Sequence, residues 1–364
     1  MSFLHITNGS AITPFMRQAG IVGPIVPWDD VLHEGPVRAG FNVVAMRDAR
    51  ADFLASCGWG SRDEIVRSLA ARDAALENLG RVDEIVLWFE HDLYDQLQIL
   101  QILDRLPLDG GPTLTAVPSD DYLVGLMPGL KPGPADGVQA DSLRPSSKPG
   151  PAGQHADSAG PARSDSAGPG FSPGRRFSDL FAARREVTFS QRIAARDAWD
   201  AFRSEDPRAL VDVLKRVTDL PHLPAALGRH LQQFPSTRNG LSRTEQQALE
   251  AISRGVTRLD GVFMQANHQS EEAVFMGDAA FLFHLRGLMQ GSRPLMRVVN
   301  RGLSHSTMSL EDELTLTDDG RRVLAGDADR VTLCSIDRWL GGVHVRGRGP
   351  VWRWHHARGT VVNV

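Results

Sequence analysis

The stretch EIVLWFEHDLYDQLQIL, residues 84–100, decides the fold. Ile85 to Phe89 form a continuous apolar run of strand length, as expected of a strand inside a layered sheet. From Leu93 the apolar residues recur at helical spacing, and Asp92 stands where an N-cap belongs. Between strand and helix come three ionisable residues in a row, Glu90, His91 and Asp92. Ligands of open parallel sheets bind beyond the carboxyl ends of the strands, so this junction is where a site is expected.

The same alternation extends in both directions. FLHIT (residues 3–7) reads as a strand, broken by NGS and followed by a short helix around Phe15 and Met16. GPIVPW (23–28) reads as a second strand, with DDVLHEGPV (29–37) as its loop. A helical stretch over about 47–79 precedes the opening strand, a helix over 93–106 follows it, and PTLTAV (112–117) is a fourth strand ending in PSDD. Strands alternating with helices imply an α/β domain over residues 1–130, with a three-layer, mostly parallel sheet.

Residues 131–176 change character: Gly, Pro, Ser and Ala dominate, and DSAGP occurs twice. Such a segment buries too little apolar surface to offset chain entropy and is expected to be a disordered insertion. Residues 177–235 read as a helical segment packing on the α/β domain. Ser242 and Glu245 form a capping box, DAAFLFHLRGLMQ (278–290) is a helix, and ELTLTDDGRRVLAG (313–326) reads as strand, Thr317 cap and short helix. Helices followed by a strand and an LTxxGxxVL ending resemble a winged-helix fold over residues 236–330, a module that binds DNA or protein. The tail, 331–364, alternates around Gly turns and reads as a small antiparallel β element in which Trp352 and Trp354 share a buried face. SDDYLVG (119–125) and SIDRWLG (335–341) echo each other weakly.

The chain has 364 residues, 41% of them apolar and 23% charged, with a net charge of -4. That balance gives no global basic field for nucleic acid or anionic lipid. Cys57 and Cys334 lack any CxxC partner, which argues against a disulfide scaffold or a thiolate zinc site. No signal-peptide pattern and no membrane-spanning run is visible, so the expected location is cytoplasmic.

At the strand ends the residue types suggest chemistry. Glu90, His91, His33 and Glu34 are the candidate catalytic residues. A strand-end Glu beside a bulky apolar run is open to desolvation, which moves its pKa towards acid–base use, although ion pairing with an Arg fits as well. His33 and Glu34 precede a Gly-Pro turn that would hold them at a site entrance. Asn8 and Ser10, in a tight turn whose amides suit a phosphate, together with Asp30, Asp92 and Gln96, are the candidate substrate contacts. Asp92 is equally suited to capping, and Asp95 to the helix dipole. The His and Glu pairs could supply metal ligands, but neither has HExxH spacing, so no metal or other cofactor is assigned. GxGxxG, a Walker lysine and a GxSxG elbow are all absent.

LHITNG, PWDDVLHEGPV and LWFEHDLYDQLQIL, then FPSTRNGLSRTEQQAL and IDRWLGG, together resemble an uncharacterised bacterial family, the domain of unknown function 1835 with its companion domain 3658. The resemblance covers most of the chain outside residues 131–176 and implies no established reaction. Where the family is expected to read NGDS after its first strand, this chain reads NGS.

Two functions are therefore expected, with a protein-interaction scaffold without chemistry as a third. One is a hydrolase or transferase acting on a phosphate-bearing or nucleotide-like small molecule. The other is a ligand-sensing regulator whose winged-helix-like domain binds DNA or a protein partner. Against DNA, Arg286 is the only full positive charge in residues 277–290.

Overall fold

The computed structural model describes residues 1–118, 173–299 and 308–364; the repeated DSAGP, the SDDYLVG stretch and most of the expected insertion lie outside them. The first half contains β1 (Phe3–Thr7), α1 (Thr13–Gln18), β2 (Ile25–Pro27), β3 (Gly35–Pro36), α2 (Val43–Ser56), α3 (Arg62–Glu77), β4 (Glu84–Trp88), α4 (Leu93–Arg105) and β5 (Thr113–Ala116). After the undescribed segment come α5 (Pro173–Ala182) and β6 (Arg185–Glu186). Five strands form one sheet in the order β2-β1-β4-β5-β6, parallel except for β6.

Alternation along β1 and β4 explains the layering. Leu4, Ile6, Ile85 and Leu87 face the large core that includes Leu93, Leu97 and Leu100 of α4. Val86 and Trp88 face a smaller core with Ile12 and Met16 near α1 and Phe177 of α5. Both faces are thus covered, as a parallel sheet requires. Thr7 lies opposite Trp88, so β1 and β4 end level with each other. The chain leaves β1 for β2 on one side and reaches β4 on the other. The gap between the ends of β1 and β4 is therefore the topological switch point.

The helical stretch expected over 47–79 is two helices. Gly58 (φ 77°) and Gly60 (φ 143°) break it after Ser56, and Ser61 restarts it through a capping box with Glu64. The expected loop DDVLHEGPV also holds a surprise, because Gly35 and Pro36 form β3 and pair in parallel with Leu340 and Gly341.

The second half continues with α6 (Phe189–Arg203), α7 (Arg208–Leu214), α8 (Leu223–Leu231), α9 (Arg243–Ser253) and α10 (Leu259–Phe263), which runs into a π turn over Met264–Gln269. Next come α11 (Asp278–Met289), β7 (Met296–Val298), β8 (Leu314–Leu316), α12 (Asp318–Ala325) and α13 (Arg330–Cys334). α6 is capped by Thr188 and packs along α4. β7 and β8 pair antiparallel, and Thr317 caps α12 as the sequence suggests.

The tail forms two antiparallel pairs, β9 (Ile336–Gly341) with β10 (Val343–Gly347), and β11 (Trp352–His355) with β12 (Thr360–Asn363). Through β3 the first pair is tied to the N-terminal half. Gly341 and Gly342 sit flush against the end of α6, where a side chain at either position would strike the backbone of Phe202 or Arg203. The tryptophans need a correction. Trp352 and Trp354 are only half-buried, and the buried residue between them is Arg353, which pairs with Asp329 at 2.7 Å.

Candidate functional site at the strand ends

The switch point is organised by hydrogen bonds between its own polar residues. Asn8, just past β1, donates to both carboxylate oxygens of Asp95 at 3.0 and 3.1 Å. The Glu90 amide also donates to Asp95, and Gln96 Nε2 donates to the Glu90 carbonyl at 2.9 Å. Asp92 caps α4 by accepting from the Asp95 amide at 3.1 Å. Glu90, Asp92 and Asp95 are all buried, and each offers a carboxylate oxygen within 4.8 Å of the others. Among the described residues this is the group that could hold a cation. Hard oxygen ligands in that arrangement suit Mg²⁺ or Ca²⁺ more than zinc.

Above this floor lies a cleft of about 460 Å³, lined at the α4 end by His91 and Asp92. The opposing wall comes from α8, α9 and the segment before α11: His222, Arg229, Arg243, Glu271 and Phe275. The rings of His91 and His222 approach to 5.7 Å between centroids. Arg229 is buried and forks onto Glu271 with bonds of 2.8 and 2.7 Å, its guanidinium lying over Phe275. Burial pushes the Arg229 pKa down, and Glu271 opposes that shift. Arg243 is more open, with 36% of its side chain exposed, so it is the arginine best able to meet a ligand. An adjoining hollow of about 440 Å³, walled by apolar Leu87, Ile99 and Leu103, shares Pro221 and His222 with the cleft.

The other expected site residues fall elsewhere. Ser10 bonds through its amide to Asp29 at 3.3 Å, joining the loops after β1 and β2. Asp30 is fully buried against Arg50 at 2.8 Å and Arg72 at 3.4 Å. Arg50 also donates to the carbonyls of Val31 and Glu34, so it shapes the whole DDVLHE turn. Asp30 thus faces structural arginines and not the cleft. His33 is sealed beneath the cleft, edge-on to Phe275 at 5.2 Å and Tyr94 at 6.0 Å. Neither of its ring nitrogens has a hydrogen-bond partner among the described residues, and burial lowers its pKa to about 4.

Glu34 turns to different partners. Its carboxylate accepts from His284 Nε2 at 2.7 Å and from Arg338 Nη2 at 3.0 and 3.3 Å. Burial works to raise the Glu34 pKa, but Arg338 and His284 together hold it far below the usual carboxylate range. His284 is itself lowered, chiefly by burial and then by Arg338. His230 of α8 joins this sealed group, lowered to about 3 by burial. Four catalytic candidates were expected to converge; His91 alone lines the cleft, Glu90 is buried next to it in the chain and does not reach the lining, His33 is sealed behind Phe275, and Glu34 serves a junction between the two halves of the chain.

Sequence reasoning missed His222, Arg229, His230, Arg243, His284 and Arg338. Two histidines did carry a signal. In LPAALGRHL, His230 falls on the stripe of Leu223, Ala226 and Leu227; in DAAFLFHLRGLM, His284 falls on that of Phe281, Leu285 and Leu288. A polar residue on the apolar face of a helix must meet a buried partner or a cost. His222, between Pro221 and Pro224, carries no such mark.

No protein-family model matches the chain, and no curated protein matches it. Among the described residues no helix is long and apolar enough to cross a membrane.

Proposed function

We propose that the chain is an enzyme, a hydrolase or transferase acting on a phosphate-bearing or nucleotide-like small molecule at the carboxyl ends of β1 and β4. The observation that carries this reading is the His91–His222 pair over a cleft that also presents Arg243. Two imidazoles at that separation suit the complementary roles of general acid and general base on either side of a reacting phosphoryl or acyl centre. Arg243 supplies a charge-assisted donor for an anionic group. The adjoining apolar hollow suits a base or another flat, weakly polar moiety. In this reading Asn8, Asp95 and Gln96 position the strand ends, and His33 and Glu34 support the site from beneath without touching substrate. The motifs resembling domains of unknown function 1835 and 3658 run through these same segments, and membership in that family belongs to the proposal.

Turnover of a panel of nucleotides, phosphate monoesters and pyrophosphate tests the reading. His91→Asn and His222→Asn are each expected to lower kcat by about 10²–10⁴ with little change in melting temperature.

The competing regulator reading requires α11 to reach DNA. Packing argues against that use. Asp278 is the one exposed position of α11, His284 is bonded to Glu34, and Phe283 packs edge-on to Phe53 and Trp59 of the N-terminal half. A helix enclosed in this way has no free face to lay in a major groove.

A further inference from the structure

A second cleft, of about 480 Å³, shares no lining residue with the first. Its walls come from the end of α2, from α9 and α11, and from the turn between α13 and β9. Three arginines line it, Arg286, Arg330 and Arg338, together with His284. Their counter-charges are unequal. Arg338 is met by Glu34, and Arg330 by Glu245 at 3.2 Å. Asp337 is paired outwards with His344 at 2.7 Å and Arg346 at 3.4 Å. Arg286 has neither an ion pair nor a hydrogen bond among the described residues, and its Nε is buried without an acceptor.

An unmatched, partly desolvated guanidinium beside two half-engaged ones is costly unless something returns the missing interactions. Arg330 donates through Nη1 to the Ser335 carbonyl at 3.1 Å; its Nε is ion-paired with Glu245 without a hydrogen bond, and its Nη2 lies over Gly287, next to Arg286 in the chain. The Arg338 bonds run from Nη2 to Glu34. Donors therefore remain on all three forks. The cleft rim is also held in an uncommon backbone state: Ser335 is the one described non-glycine residue with positive φ, at 64°. Its hydroxyl donates to the Gly347 carbonyl at 3.1 Å, which holds the turn that carries Arg338. Strain of this kind persists where surrounding contacts over-determine it, often at binding sites.

We propose that this cleft binds a small phosphate-bearing anion, with Arg286 as its principal contact and Arg330 and Arg338 completing the cradle. Planar guanidinium forks match phosphate oxygens in pairs, and this cleft sets three arginines against two lining acids, Glu245 and the outward-paired Asp337. Inorganic phosphate and the phosphate of a larger metabolite share this chemistry. The site is independent of the strand-end cleft and does not rest on the function proposed for it. Because Glu34 and His284 join the N-terminal half to α11, an anion here bears directly on that junction.

The test is isothermal titration of the full chain with inorganic phosphate, pyrophosphate and citrate at matched ionic strength. Pyrophosphate is expected to bind saturably, more tightly than citrate. Arg286→Gln should weaken pyrophosphate binding at least about tenfold, and Arg243→Gln in the other cleft should leave this phase unchanged. Since Arg286 makes no bonds among the described residues, Arg286→Gln should unfold at the wild-type temperature in the absence of ligand, which separates lost binding from lost fold. Absence of saturable binding, equal affinity in Arg286→Gln, or preference for citrate would each overturn the proposal. Loss of all binding in Arg243→Gln alone would place the anion in the first cleft and sink this inference while leaving the proposed function standing.

Discussion

The two clefts differ in how they are made. The strand-end cleft follows from the sheet: β1 and β4 stop level, their polar successors meet, and α8 and α9 close the far wall with charges of both signs. The second cleft follows from no single element. It exists because β3 joins β9 and because α11 lays His284 against Glu34, residues 250 apart in the chain. The first combines a histidine pair with mixed charge, which suits chemistry. The second gathers three arginines, of which Arg286 has no counter-charge among the described residues, which suits holding an anion. A buried ionic junction, Glu34 with His284 and Arg338, separates their duties.

The largest expected effect comes from that junction. Removing one partner of a buried pair leaves the other charges uncompensated, so Glu34→Ala should cost about 3–5 kcal/mol in chemical denaturation. A cost below about 1 kcal/mol would mean that the halves are held by apolar packing alone and that the junction is incidental.

The pH dependence of stability sharpens the same point. Burial lowers His33 to about 4 and His230 to about 3 from an ordinary 6.5. Below pH 6.5 the unfolded chain binds protons that the folded chain refuses. Stability is therefore full above that pH and falls as pH drops towards the folded values, by about 1.4 kcal/mol per pH unit for each residue. Glu34 acts at lower pH in the same direction: its depressed pKa stabilises above the ordinary carboxylate range, and that contribution is lost on acidification. Denaturation midpoints from neutral pH down to about pH 4.5 should show this slope, reduced by about 1.4 kcal/mol per unit in His230→Leu. A flat profile over that window would show that water reaches these histidines.

The smallest expected effect belongs to the strand-end cleft. Asp92→Ala should cost about 1 kcal/mol through the lost cap, and Asp92→Asn much less, because an amide oxygen also caps. A larger loss in Asp92→Ala would tie Asp92 to the acidic floor more than to the helix.

One side of the first cleft, His91 to Leu93, could be read from sequence because its logic is local. The apolar run before Glu90 specifies β4, the periodicity after Asp92 specifies α4, and the strand-end rule does the rest. Asn8 follows the first strand for the same reason, and Asp92 suits a cap by its position alone. The failures were those of long-range pairing. Nothing near Gly35-Pro36 announces a strand, because its partner lies about 300 residues later and the pairing spans only two residues on each side. The turn at Gly58 and Gly60 was overlooked because Ala- and Arg-rich helices on either side share one composition. His33 and Glu34 looked like a pair at one entrance. Adjacent residues in a tight turn can point to different neighbours, and here Arg50 sets the turn so that one meets Phe275 and the other Arg338.

The central claim is that His91 and His222 act together on one substrate in the strand-end cleft. The most direct measurement is the pH–rate profile of whichever panel compound turns over, for wild type, His91→Asn, His222→Asn and the double variant. The account expects a bell-shaped kcat/KM profile for the wild type and loss of one limb in each single variant. The double variant should be little worse than the poorer single variant, since residues acting as a unit are not additive. Additive losses with both limbs intact, or full activity in either single variant, would contradict it.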